Sequence, residues 1–383
     1  MKDLNNSQPF TATLSNEFNY LLALVSGTKY EQEIDADRFV KLLENHAVLL
    51  VINKLYGERL NPELKTQLKP VLKDKVLGQF NKIKVFKEII AQFNHHNIHV
   101  IPLKGIALAK ELLNDPGVRE SSDIDLLVKS DDVRQAVSVL ESMGFRCEPD
   151  PTKLPNEILL QVAKDLYLWH DQYPFRIELH WKMFEVNKIM LQTTEQLVEL
   201  SPKTSFMGVV YSSLSPENLL IYLCLHGTKH LWFRLKWILD IHLWLVKYHE
   251  QVDGYQLLEL LKKNGVESAV LQGIFLSHRL FHSPLPSGIH TGLIFELKLS
   301  KTIDKRLKSL DTDSPIHPRI YFRTQDILFI KKGIKHRIKC LLPLVYSPID
   351  WQVFALPRPL FFLYPVLRPF FYILRKSFKK YNL

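Results

Sequence analysis

The chain has 383 residues, 46% of them apolar and 23% charged, with 14 glycines and 21 prolines. That composition supplies a sizeable core for two or three domains and excludes collagen-like, disordered and low-complexity classes. The formal charge is +10, but the eleven Lys and Arg between Lys331 and Lys380, set against Asp350 alone, account for all of it, which excludes a nucleic-acid footprint spread over the whole body.

Cys147, Cys224 and Cys340 are far apart and form no CxxC pair, so neither a disulfide framework nor a cysteine zinc site is expected. The opening MKDLNNSQPF lacks the charged-then-apolar pattern of a secretory leader. The expected location is the cytoplasm.

Along residues 14–95 apolar positions recur three and four apart in FNYLLALV, FVKLLENHAVLLVINKL and VLGQFNKIKVFKEIIAQF, so this stretch is read as helices, the second capped by Asp35 or Asp37. The period then changes. NIHVIPL, 97–103, reads as a strand ending at Lys104-Gly105, and the helix IALAKELL follows at once. After the polar loop NDPGVRESS comes a second strand, DIDLLV, 123–128. The next helix is opened by Ser130, carries Val133, Ala136, Val137, Leu140 and Met143 on one stripe, and ends at Gly144. Beyond the Pro-rich connection 149–156 we expect a helical stretch and then the strand RIELHW from Arg176. Ser215-Pro216-Glu217 starts a helix or helix pair running to about Lys247, and helical pattern returns at 255–281.

Asp123 and Asp125 are two apart on a strand, so both side chains leave one face while Ile124 enters the other. Adjacent carboxylates repel, and a divalent cation is the usual neutraliser. Glu178 lies on a later strand with Ile177 and Leu179 facing away, and three such acids could hold Mg²⁺, or Mn²⁺, for phosphoryl or nucleotidyl transfer. A bare D-x-D also ends many exposed strands. At Lys104-Gly105 a strand stops and a helix begins, which offers free backbone N–H groups, the positive helix end and a point charge to an anion; a plain turn has the same sequence.

LKGIALAKELLNDPGVRESSDIDLLV, then IELHW, then LCLHGTKHLWFRLKWILDI resembles the poorly characterised bacterial nucleotidyltransferase family of the DNA polymerase beta-like superfamily, over roughly residues 40–250. The resemblance implies a mixed sheet with a helix after its first strand, a metal-binding pair at Asp123 and Asp125, and a third acid, Glu178, that completes the metal site and helps deprotonate the acceptor. It further implies an NTP substrate, a phosphate turn at Lys104-Gly105, and a helical lid at HGTKH through which Lys229 or His230 touches nucleotide. The chain departs from the superfamily's Gly-Ser: Ile106 follows Gly105, and Lys104 and Arg119 would supply charge in place of the serine contacts.

Other candidates carry two readings each. Arg119 is a phosphate clamp or a solvated loop arginine; His180 contacts nucleotide or acceptor from the Glu178 face, or is a satisfied core histidine. His226 and His230 have metal-ligand spacing without the glutamate of HExxH, and share a stripe with Leu219, Leu223, Trp237 and Ile241 that suits helix packing; Asp240 is an ion-pair partner for Lys236. Residues 351–383 interleave aromatics with Arg368, Arg375, Lys376, Lys379 and Lys380. They suit peripheral contact with the inner face of a membrane, or a helix packed back on the body or on a partner.

The expected fold class is α+β: a small mixed-sheet nucleotidyltransferase core at 96–185, an N-terminal helical region at 1–95, a helical region packing on the core at 186–300, and a basic, aromatic region at 301–383. The leading function is Mg²⁺-dependent transfer of an NMP from an NTP to a hydroxyl on an unidentified small molecule, protein or RNA. The rivals are a catalytically silent nucleotide-binding or scaffold protein with this fold, favoured by the missing serine, and a nucleic-acid-binding protein.

Overall fold

The computed structural model describes residues 14–148, 159–160, 163–184, 192–290, 310–311 and 356–377. The Pro-rich connection 149–156 and most of 301–383 lie outside these. In chain order the described helices and strands are α1 (Asn16–Ser26), α2 (Ala36–Asn45), α3 (Leu49–Tyr56), α4 (Pro62–His95), β1 (Val100–Pro102), α5 (Ile106–Leu113), β2 (Asp123–Val128), α6 (Val133–Ser142), β3 (Arg146–Glu148), β4 (Asp165–Trp169) and β5 (Arg176–His180). There follow α7 (Thr194–Leu200), β6 (Lys203–Phe206), β7 (Val209–Ser212), α8 (Pro216–Lys229), α9 (Leu235–Tyr248), α10 (Gly254–Asn264), α11 (Glu267–Phe281) and α12 (Tyr364–Ser377).

The chain divides into two compact units, one of residues 1–80, 112–120 and 216–330, the other of 81–111, 121–215 and 331–383. The first is helical. Local chemistry sets its helix ends: the side chains of Ser15, Asp35 and Asp253 accept backbone N–H bonds at the starts of α1, α2 and α10, and Gly27 and Gly265 close α1 and α10 in the left-handed conformation. Helices α8, α9 and α11 pack on one another, and Leu220, Ile221, Ile238, Ile241, Val270 and Ile274 are buried on them. Within HGTKHLW, Leu231 and Trp232 both adopt positive φ, which turns the chain between α8 and α9. The Trp232 ring lies against Gly227, where a Cβ would fall 2.1 Å from it.

The second unit holds the sheet, in order β1-β2-β5-β4-β3; β2 and β5 run parallel and every other pair antiparallel. Its strands alternate faces. Ile124, Leu126, Val128, Leu166, Leu168, Ile177 and Leu179 enter a buried cluster with Phe86, Ile89, Ile90 and Phe93 of α4 and with Val133, Ala136, Val137 and Leu140 of α6. The expected strand at 123–128 appears as β2 with those bounds, that at 176–181 as β5 (Arg176–His180), and that at 97–103 only as the three-residue β1 (Val100–Pro102), since Asn97 turns out of α4 at positive φ. Of the helix expected ahead of Arg176, Leu159 and Leu160 are helical, but 165–169 form β4, where buried Leu166 and Leu168 alternate with half-buried Asp165, Tyr167 and Trp169 between β3 and β5. Residues 203–212 form the hairpin β6–β7, turning on Met207 and Gly208, both at positive φ. Tyr364 and Phe371 of α12 also belong to this unit's core, and Pro369 sits inside the helix.

Candidate active site

Register assembles the site. Asp123 is opposite Arg176 and Asp125 is opposite Glu178 across the parallel β2–β5 pair, while Asp165 is opposite His180 and Tyr167 opposite Glu178 across β4–β5. Since paired residues share a face, Asp123, Asp125, Glu178 and His180 come together on the side of the sheet away from the α4 and α6 core. All four are buried.

Each carboxylate has a defined set of neighbours. Lys104 Nζ lies 3.2 Å from Asp125 Oδ1 and 3.6 Å from Asp123 Oδ1. His180 Nε2 lies 3.3 Å from the same Asp125 oxygen and 3.6 Å from Glu178 Oε2. Arg176 donates from Nε and Nη2 to Glu178 Oε1 at 2.9 and 2.6 Å, with its guanidinium held over the rings of Tyr167 and Trp169. Burial raises the Asp125 carboxyl, but Lys104 and His180 outweigh it and leave the group below its ordinary value. Glu178 follows the same logic: burial opposes ionisation, and His180, Lys104 and Arg176 overcome it, so the carboxyl stays well below the usual range. Both acids are therefore anions in the fold.

Donor atoms of Asp125, Glu178 and His180 lie within 4.8 Å of one another, a spacing at which one metal ion could be held. Asp125 Oδ2 is buried without a hydrogen-bond partner, a state in which a carboxylate oxygen can take a cation or a water. The residues present therefore fit a divalent ion.

Lys104 and Gly105, expected as a phosphate turn, sit beside this cluster. Gly105 has φ +66°, a conformation glycine adopts without penalty, and its carbonyl accepts the Ala109 N–H as α5 begins. A Cβ there would lie 3.3 Å from Ser121 Oγ, so a hydroxyl approaches the turn from the loop before β2 even though Ile106 occupies the next position in sequence. Lys82 donates to the Ser121 carbonyl and stands over the Phe175 ring.

Arg119, Lys229 and His230 belong to the helical unit. Arg119 Nε and Nη2 each donate to an oxygen of Asp240 at 2.8 Å, a buried two-pronged pair that engages Asp240 across 121 residues rather than only within its own helix. His226 and His230 have ring centroids 4.6 Å apart, and His230 stacks on Trp237 at 5.0 Å. Sequence reasoning missed Asp165, Arg176, Tyr167 and Trp169. The period-two pattern of 165–169 was available in the sequence, but its adjacency to β5 was not.

A mixed five-stranded sheet carrying a buried Asp/Glu/His cluster on one face, flanked by helices, is a nucleotidyltransferase-like core. The chain belongs to a family described as an uncharacterised nucleotidyltransferase, whose model matches residues 32–282. No curated protein and no solved structure matches it.

Proposed function

We propose that the protein is a divalent-metal-dependent nucleotidyltransferase of the DNA polymerase beta-like superfamily, moving an NMP from an NTP to a hydroxyl acceptor and releasing pyrophosphate. The observation that carries this is the buried Asp125 carboxylate, one oxygen of which has no hydrogen-bond partner, grouped with Glu178 and His180 at metal-ligand spacing in a chain of this family.

Asp123, Asp125 and Glu178 would hold Mg²⁺ or Mn²⁺, which when bound supplies charge neutralisation at the phosphates and acidifies the acceptor hydroxyl. The chain's own groups do the rest. The amides opening α5 at Gly105 and the ammonium of Lys104 draw the triphosphate to the turn, and Ser121 and Lys82 stand where they can extend that cradle. Glu178, held as an anion by three cationic or imidazole neighbours, keeps positive charge in place and orients the hydroxyl; a carboxyl so acidic retains a proton poorly. Arg119, Lys229 and His230 are assigned to nucleotide contact on the family resemblance alone, Arg119 through release from Asp240.

The test is incubation of the protein with each labelled NTP and Mg²⁺ or Mn²⁺ in cell extract. Label should pass to one class of acceptor and vanish with chelator or with Asp125→Asn. Nucleotide binding without transfer would favour the catalytically silent reading, for which the departure at Ile106 speaks; neither binding nor transfer would overturn the assignment.

A further inference from the structure

The imidazole among the carboxylates bears on which cation the site selects. Mg²⁺ takes near-octahedral oxygen ligands and keeps several waters, whereas imidazole nitrogen suits first-row transition ions. His180 is buried, and its Nε2 faces both Asp125 Oδ1 at 3.3 Å and Glu178 Oε2 at 3.6 Å. Its other nitrogen, Nδ1, makes no hydrogen bond and lies 3.5 Å from Asp165 Oδ2, an oxygen that also accepts from Lys164, on the residue opposite it in the β4–β5 ladder. A histidine with one nitrogen among anionic donors and the other toward a carboxylate has the layout of a carboxylate–histidine–metal triad, in which the carboxylate fixes ring orientation and strengthens the ligand. Asp125 Oδ2, buried and without a hydrogen-bond partner, is a further oxygen donor on the same carboxylate.

We propose that this site binds a first-row transition divalent ion, such as Co²⁺ and more weakly Mn²⁺, through His180 Nε2 together with Asp125 and Glu178, in preference to Mg²⁺, with Asp165 positioning the imidazole. The inference rests on reading Asp125 and Glu178 as a cation site, and deepens that reading from "divalent" to a ligand set with nitrogen in it.

The experiment uses chelator-stripped full-length protein and the metals alone. Titration calorimetry should give Co²⁺ and Mn²⁺ affinities at least about tenfold above that for Mg²⁺, pulsed EPR of the Mn²⁺ form should show coupling to an imidazole nitrogen, and Co²⁺ should give visible bands of a nitrogen-containing site. His180→Asn should remove the nitrogen coupling and cut Co²⁺ affinity about ten- to a hundredfold while leaving Mg²⁺ within about threefold; Asp165→Asn should give a smaller loss confined to Co²⁺ and Mn²⁺. The wild-type EPR signal decides the matter even if a variant folds poorly. Absence of nitrogen coupling in Mn²⁺-loaded wild type, or equal weakening of all three metals by His180→Asn in a protein with an unchanged melt, would overturn the proposal. If Mg²⁺ still binds and Asp125→Asn abolishes that binding, only the nitrogen ligand is lost and the nucleotidyltransferase reading stands; if no divalent ion binds wild type, both fall.

Discussion

At the scale of single residues, burial decides charge and partners decide sign. From the sequence, two acids two apart on a strand suggest that neutralising one relieves repulsion. The structure places Lys104, Arg176 and His180 among them, and the Asp125 carboxyl stays below its ordinary value despite burial. Asp125→Asn is therefore expected to lower metal-free stability by about 1–3 kcal/mol, measured by chemical denaturation, because it leaves charged partners without their anion; an increase would mean that carboxylate repulsion dominates after all. His46 shows the opposite case. Its Nδ1 accepts from the Leu235 N–H at 3.1 Å and its Nε2 meets the Leu310 carbonyl at 2.9 Å, an arrangement that suits the neutral ring, and burial pushes it down to about 4. Burial also takes His242 to about 4. Above pH 6.5 both folded and unfolded states are neutral at these positions, so they add nothing there. As pH falls below 6.5 the unfolded chain takes up protons that the folded chain refuses, and stability drops until about pH 4. Each histidine accounts for about 3 kcal/mol across that window. Unfolding free energies between pH 7 and 4 should show this slope, and His46→Gln should flatten it; an unchanged slope in that variant would remove His46 as the cause.

At the scale of elements, the clearest sequence signals are local ones. DIDLLV appears as β2 with the predicted bounds, since a run of six with acids two apart is decided within itself, and Asp35 caps α2 because a cap needs only the next three residues. The acids Asp123, Asp125 and Glu178 were legible for the same reason: alternation alone sets their face. What sequence left hidden depends on strand order. Asp165 matters because β4 lies beside β5, and Ser121 matters because its loop folds back on Gly105; neither adjacency has a local signature. The HGTKHLW segment, read as a nucleotide-touching lid, has a packing logic of its own in the Trp232 ring against Gly227. Two glycine substitutions separate these roles. Gly105→Ala places a Cβ at positive φ beside Ser121, costing about 1–2 kcal/mol, and should also weaken NTP binding by blocking close approach of phosphate. Gly227→Ala drives a methyl into the Trp232 ring and should cost at least about 1–3 kcal/mol, with metal affinity retained in whatever fraction stays folded. Calorimetry of both variants checks this, and normal NTP affinity in a folded Gly105→Ala protein would move the phosphate site elsewhere.

At the scale of the whole molecule, the charge excess and a cluster of exposed apolar side chains meet in the same segment. All of the net +10 lies in residues 331–383, and of the stretch 351–383 residues 356–377 are described. Helix α12 is apolar on two sides. Tyr364 and Phe371, with Leu367 and Leu374 partly buried behind them, pack into the sheet unit's core, while Val366, Phe370 and Ile373 form an exposed stripe with Phe362 just ahead of the helix. Of the two alternatives the sequence offers, membrane contact or a helix packed on the body, the inner face of α12 shows the second, and its outer stripe leaves a surface for the first. No helix among the described residues is long and apolar enough to cross a membrane. The proposed occupant of the outer stripe is an anionic bilayer surface, since the neighbouring basic residues would be repelled by a cationic partner and attracted by acidic headgroups at about 1 kcal/mol each. Wild-type protein should pellet with vesicles containing anionic lipid, and rising salt should release only part of it, because screening removes the electrostatic share and leaves the inserted side chains in place. Truncating the tail is a poor control, because it also strips Tyr364 and Phe371 from the core. Replacing Phe370 and Ile373 by Ser spares that inner face. The double variant should melt like wild type, lose the salt-resistant fraction and keep some low-salt binding. Failure of wild type to pellet at low salt, or unchanged pelleting of the double variant at high salt, would discard the membrane contact.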